Sequence, residues 1–335
     1  MPPTKPVDVT IVYGFLGAGK TSLIRTWIPR LSSAGKTVLV VNEFGKEGVD
    51  QVVLASENLT VRSILGGCVC CEVRGELAQT LDEIRTTLEP DRIIIEPTGL
   101  AAPAALEPVF ATPPLRDAFR IAAVVAVVDT VRHAAASAAF ADFYPQQVRR
   151  SDVVVLNKID LASPKQVDEA RTWACTANPR ATVVATTHGN VSIDVAVVAA
   201  ARNAGRDLAR GGKAPLPPYR ASTNHEHHAH AGRLSTLNLE RVVVRPPEMT
   251  REAVDAFVAR MRDGDFGRVL RAKGFFPTPG ATLLADVVMG LSELRAFGPA
   301  PARFEVIGRD LRRDEMEQAL AYGFTELSRA GRPTA

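Results

Sequence analysis

The stretch GFLGAGKT, residues 14–21, has the glycine spacing and the closing Lys-Thr pair that can hold a row of phosphates. Gly14, Gly17 and Gly19 let the backbone wrap closely around such a ligand, and Ala18 and Ser22 belong to the same binding set. The following helix would aim its amides and the positive end of its dipole at the phosphates. Lys20 offers a point charge to the β- and γ-phosphates, and the Thr21 hydroxyl offers a ligand to Mg²⁺. Glu96, heading EPTG at 96–99, is the candidate acid for that ion or its water. Lys20, Thr21 and Glu96 form the candidate catalytic set, and the Gly99 amide is expected close to the γ-phosphate. Downstream, NKID at 157–160 carries a guanine code. The Asp160 carboxylate can accept from guanine N1–H and the exocyclic amine, whereas adenine has no donor at N1. Lys158 can lay its stem along the base, and Asn157 can tie loops together.

A second chemistry sits in GGCVCC, 66–71. Three of the four cysteines, Cys68, Cys70 and Cys71, fall within four positions after two glycines. Thiolates so close suit a soft transition ion such as Zn²⁺ or Cu⁺, and not Mg²⁺. Three ligands leave a fourth position for a side chain, water or a partner's ligand, which favours release over storage. Adjacent Cys70 and Cys71 could join only through a strained ring, and in a reducing compartment clustered cysteines read as ligands. Cys175, alone in TWACTAN, reads as plain packing.

These residues need elements to hold them. Continuous apolar runs recur at 7–14, 36–42, 91–96, 120–129, 152–157 and 181–187, the pattern of strands buried on both faces. Helical segments are expected at 19–33, 74–88 and 164–177. The alternation predicts an α/β fold: a P-loop, doubly wound and mostly parallel sheet with helices on both sides. A Pro-, Gly- and His-containing stretch at 211–232 reads as a linker. It separates a domain at 1–210 from a smaller α+β domain at 233–335. In the latter, strands are expected within 234–245, ATLLADVVMG and ARFEVIG, and helices over TREAVDAFVARMR and RRDEMEQALAYG.

Bulk properties narrow the partners. A net charge of +3 is too small to argue for a nucleic-acid or membrane surface. The longest apolar run, IAAVVAVV at 121–128, is far short of a membrane span, and MPPTKPVDV has no secretory core, so a cytoplasmic location is expected.

Taken in order, GFLGAGKT, VNEFG (41–45), GGCVCC, EPTG and NKID resemble the CobW-type metallochaperone GTPases, a group of SIMIBI-class P-loop proteins. RAKGFF and FEVIGRDL resemble that family's small C-terminal domain, and HEHHAH its His-rich linker. The resemblance implies a GTPase cycling between GTP and GDP with Mg²⁺. Its nucleotide state would control delivery of Zn²⁺ or Co²⁺ to a client metalloprotein. Carried over, Cys68, Cys70 and Cys71 are the thiolate ligands, and Glu43 is an acid of the first switch region, near the transition metal or Mg²⁺. The family often continues NEFG with Glu, where this chain has Lys46 and then Glu47.

His225, His227, His228 and His230 can scavenge borderline ions weakly, or simply solvate a linker. No Gln or His stands out by spacing as a general base, so slow intrinsic turnover is expected. Alternatives are a metal buffer with a weak NTPase, a nickel-type maturation GTPase and a P-loop kinase. A homodimer is left open.

Overall fold

The computed structural model describes residues 6–33, 35–43, 60–65, 71–113, 115–141, 143–194, 196, 199–201, 203 and 239–322. The chain divides into two compact units, Met1–Arg233 and Leu234–Ala335.

Among the described residues of the first unit, seven strands form one sheet. They are β1 (Val7–Gly14), β2 (Thr37–Glu43), β3 (Thr60–Leu65), β4 (Arg92–Glu96), β5 (Phe119–Asp129), β6 (Val153–Asn157) and β7 (Thr182–Ala185). The order is β3-β2-β4-β1-β5-β6-β7 and every pairing is parallel. The apolar runs are continuous because both faces of the sheet are covered. Ile93 and Ile95 of β4 enter one core with Leu77, Leu81 and Ile84 of helix α2 (Cys71–Leu88). Between them, Ile94 enters the opposite core with Leu23, Ile24, Trp27 and Leu31 of helix α1 (Lys20–Ser33). Strand order runs in opposite directions on the two sides of β1. In parallel α/β sheets, such a switch point opens a ligand crevice at the carboxyl ends of the strands. Gly14, Glu96, Asp129 and Asn157 all stand at that edge as the last residues of β1, β4, β5 and β6.

Three short helices follow β4 and β5: α3 (Pro103–Leu106), α4 (Leu115–Ala118) and α5 (His133–Ala139). A 3₁₀ turn, Glu107–Ala111, lies between the first two. Helices α6 (Tyr144–Arg149) and α7 (Pro164–Ala177) then flank β6. Helix α7 begins with a full capping box, in which Ser163 and Gln166 satisfy each other's backbone amides. Its face of Ala170 and Ala174 is buried, but Cys175 is exposed, which corrects the expectation that this cysteine packs in the core.

The second unit is a five-stranded antiparallel sheet in the order β11-β10-β9-β12-β8. Its strands are β8 (Glu240–Val244), β9 (Arg268–Thr278), β10 (Ala281–Val288), β11 (Leu291–Phe297) and β12 (Arg303–Arg309). Helices α8 (Arg251–Asp263) and α9 (Arg313–Tyr322) share a core with it, built around Phe257, Phe276 and Phe304. Thr250 caps α8 as expected, accepting from the Ala253 amide, and Gly264 ends the helix in the left-handed conformation.

Strands β3, β9 and β11 are absent from the sequence reading. β3 and β11 are edge strands, paired on one side only, and need no continuous apolar run. β9 is central but carries Gly274 and Pro277, both of which weaken a strand signal. Among the described residues, no helix is long and apolar enough to cross a membrane.

Candidate functional site

The chain turns out of β1 at Gly14 and enters α1 at Lys20, so Phe15–Gly19 is the loop that closes over the crevice. Gly17 and Gly19 have φ of 68° and 100°, left-handed values that side chains disfavour. At Gly19 a Cβ would lie 2.2 Å from the Asn157 amide nitrogen, so glycine is also required by space. The loop is pinned from below. Asn157, 1% exposed, donates to the Ala18 carbonyl at 2.9 Å and accepts from the Gly189 amide at 2.9 Å. This residue ties two loops together, as its place in NKID led one to expect. Phe15, within the same loop, packs its ring against Phe140 and Tyr144.

Lys20, Thr21 and Glu96 converge. The Lys20 ammonium donates to the Gly14 carbonyl at 3.1 Å and lies 4.0 Å from Glu96 Oε1. The Thr21 hydroxyl lies 3.0 and 3.2 Å from the two oxygens of Glu96. Glu96 is 4% exposed and Lys20 6%. A hydroxyl and a carboxylate this close, at a helix N-terminus, form a hard-oxygen pair of the kind Mg²⁺ selects. Gly99 abuts the loop directly: a Cβ there would lie 2.5 Å from the Leu16 amide nitrogen. Ser22 follows Thr21 in the first turn of α1, where its side chain is exposed.

At the base end, Lys158 takes a left-handed φ of 63° between β6 and a 3₁₀ turn, Ile159–Leu161, that carries Asp160 on its exposed side. Asp129 is one residue that sequence reasoning missed. Its buried carboxylate takes the Lys158 ammonium at 2.9 Å and the Arg132 guanidinium at 2.6 Å. Its other oxygen caps the Val131 and Arg132 amides. The sequence signal was only an acid closing an apolar run, but β5 pairs Asp129 with Asn157 in register. Asp129 therefore holds Lys158 where its stem can lie along a base. Asp129→Asn keeps the shape and removes the charge. It should weaken GTP and GDP binding alike, each about tenfold, since both share the base and one charge-assisted contact is worth about 1.5 kcal/mol. Equilibrium titration with both nucleotides checks this, and selective loss of one of them contradicts it.

A second buried residue escaped notice. Gln147 on α6, 1% exposed, donates to the Ala101 carbonyl at 2.8 Å and reaches the Gly99 carbonyl at 3.4 Å. Nearby, Arg150 pairs with Glu107 at 3.3 Å. Burial raises the Glu107 carboxyl to about 7 despite that guanidinium. Tyr13, just before Gly14, has its phenol pushed well above its usual range, again chiefly by burial. His133 is pulled down by burial and lies 5.4 Å from the Trp173 ring, which fits a packing role.

For the transition-metal set, the backbone gives placement only. Glu43 ends β2 and is the register partner of Leu65, the last residue of β3. Cys71 begins α2. Cys68 and Cys70, the side chains of Glu43 and Cys71, Lys46, Glu47 and the histidine tract 225–230 lie outside the described residues. Among the described residues, no group of three or more His, Cys, Asp or Glu side chains is placed to hold a metal.

The CobW/HypB/UreG nucleotide-binding domain model matches residues 8–185, and the cobalamin synthesis protein cobW C-terminal domain model matches residues 240–322. The chain is similar to the zinc chaperone YjiA of Escherichia coli (strain K12), at 31% identity over 194 residues, 56% of this chain and 60% of that protein. It is similar to the zinc chaperone CobW of Sinorhizobium sp, at 29% identity over 308 residues and 82% of each. It is also similar to the zinc-regulated GTPase metalloprotein activator 1 of Schizosaccharomyces pombe (strain 972 / ATCC 24843), at 32% identity over 195 residues, 56% of this chain and 47% of that protein.

Proposed function

Since the chain belongs to the CobW/HypB/UreG family of nucleotide-binding proteins, we propose that it hydrolyses GTP and uses the cycle to govern binding and delivery of a transition metal. The cargo is Zn²⁺, or Co²⁺ as the second candidate, and the recipient is a client metalloprotein. The single observation that carries the nucleotide half is the convergence of Lys20, Thr21 and Glu96 within 4.0 Å beneath a glycine-turned loop. Thr21 and Glu96 would hold Mg²⁺, which supplies charge neutralisation at the phosphates when bound. Lys20 binds the β/γ-phosphates, the α1 amides orient them, and Asn157, Lys158 and Asp160 select guanine.

The metal half rests on sequence and on backbone placement. Cys68 and Cys70 lie between β3 and α2, Cys71 begins α2, and the chain leaves β3 at Leu65, the register partner of Glu43. Glu96 pairs in the same sheet with Val41, two residues before Glu43. Glu43, Glu96 and the cysteine segment thus lie at or follow the ends of adjacent strands β2, β4 and β3, where a γ-phosphate could order them together and its loss release them. Relatives named as zinc chaperones and as a zinc-regulated GTPase metalloprotein activator support zinc as cargo and a client as recipient.

The test is Zn²⁺ titration of the protein held with GDP and with a non-hydrolysable GTP analogue. Affinities should differ at least about fivefold, the lower end of usual coupling. Changing Cys68, Cys70 and Cys71 to Ser should abolish high-affinity binding in both states. Equal affinities in the two states would leave a metal buffer, and unchanged binding in the triple variant would remove the cysteines from the site.

A further inference from the structure

Helix α6 is held firmly on several sides. The Asn178 side chain caps its last turn by donating to the Val148 and Ser151 carbonyls, each at 2.8 Å. Tyr144 stacks on Trp173 of α7 with centroids 5.3 Å apart, and it meets Phe15 of the phosphate loop edge-on at 5.8 Å. From this fixed platform Gln147 reaches the segment that follows Glu96. That segment turns at Thr98–Ala101, closed by the Ala101 amide donating to the Thr98 carbonyl at 2.9 Å. Its Gly99 presses on Leu16 of the phosphate loop, and its carbonyls at Gly99 and Ala101 take the Gln147 amide.

A glutamine this deeply buried costs free energy unless its polar atoms are met, so packing alone would favour a leucine or methionine here. Its donor side is met. Its acceptor, Oε1, has no hydrogen-bond partner among the described residues, and neither does the Thr98 hydroxyl of the same turn. One side of this contact therefore holds an unmet acceptor and the other a group that can donate. The glutamine is therefore kept in this core by the contact its amide makes with the turn, and its free acceptor faces the same region.

We infer that Gln147 is a positioning residue that sets the Pro97–Ala101 turn against the phosphate loop, and so makes the protein distinguish a nucleoside triphosphate from a diphosphate. The inference rests on the GTPase reading above. In the arrangement described, the Gln147 amide holds the turn by its Ala101 and Gly99 carbonyls. A γ-phosphate beside Gly99 would pull the turn toward it and exchange those contacts for ones that use Gln147 Oε1. The residue acts through the turn and touches neither phosphate nor water.

Two variants test this, Gln147→Ala and the isosteric Gln147→Glu, which sets a carboxylate against two carbonyl oxygens. Each should lower kcat about tenfold and narrow the preference for a non-hydrolysable GTP analogue over GDP at least about fivefold, with GDP affinity unchanged within about twofold. In the wild-type protein, hydrogen exchange of the Gly99–Ala101 amides should differ between the GDP and GTP-analogue states. The inference falls if the variants keep kcat and the nucleotide ratio, or if both nucleotides weaken equally, as a purely structural role requires. It also falls if exchange is the same in both states, a result that needs no variant to fold. Wild-type protein that binds no guanine nucleotide would sink the GTPase reading itself. Wild-type turnover with indifferent variants would sink only the role of Gln147.

Discussion

Replacing Asp160 by asparagine should cost GTP about 10³-fold in affinity and make xanthosine triphosphate the preferred nucleotide. Guanine offers two donors to the Asp160 carboxylate, the N1–H and the exocyclic amine at C2. Two hydrogen bonds to a charged acceptor at about 2 kcal/mol each give that factor. An asparagine keeps one acceptor for N1–H but turns an amide donor toward the C2 amine, donor against donor. Xanthine carries a carbonyl at C2, which accepts from that amide, so the preference crosses over. The backbone is ready for such readout. Asp160 sits exposed on a 3₁₀ turn whose start is fixed by the left-handed Lys158 and by the Ile159 amide donating to Thr186 at 3.3 Å. Competition between the two triphosphates, measured on wild type and variant, decides the matter. A variant that still prefers GTP would place the base elsewhere.

That prediction could be framed from the sequence because NKID is local: four consecutive residues carry the chemistry and one strand end positions them. The same holds for the phosphate loop, where Gly14, Gly17, Gly19, Lys20 and Thr21 are set by one turn between β1 and α1. The parallel sheet was also legible, since strands covered on both faces, such as Ile93–Ile95, cannot alternate. What stayed hidden was long-range. Asp129 and Lys158 are far apart in the chain and meet only because β5 and β6 pair in register. Gln147 and Ala101 meet only because α6 is braced by Asn178 and Trp173. Nothing in FYPQQVRR marks one glutamine of the pair as buried and the other as not. Cys175 misled for a related reason: its apolar neighbours Trp173 and Ala174 suggest a core, but helical spacing turns position 175 outward. In the second unit, the edge strand β11 is exposed along most of its length and so lacked the apolar signature by which strands are found.

Lys20→Ala should reduce GTP hydrolysis on the order of 10²–10³-fold, the usual cost of removing one preorganised cation or donor from a charge-developing centre. The lysine is held at the loop, with its ammonium shared between the Gly14 carbonyl at 3.1 Å and Glu96 at 4.0 Å. If Lys20 contacts the β- and γ-phosphates as proposed, the triphosphate should lose more affinity than the diphosphate, opposite to the even loss expected at Asp129. Thermal unfolding of the nucleotide-free variant separates this effect from destabilisation, because Lys20 is buried beside a buried acid. The same variant discriminates between the two metal readings. The substitution leaves the proposed cysteine ligands in place, so Lys20→Ala protein should still bind Zn²⁺, but adding a GTP analogue should no longer shift that affinity. If the shift survives without Lys20, the terminal phosphate is not what the metal loop senses. If wild type shows no shift and the variant matches it, hydrolysis and metal binding are separate properties of one chain, and the delivery cycle has no thermodynamic link to drive it.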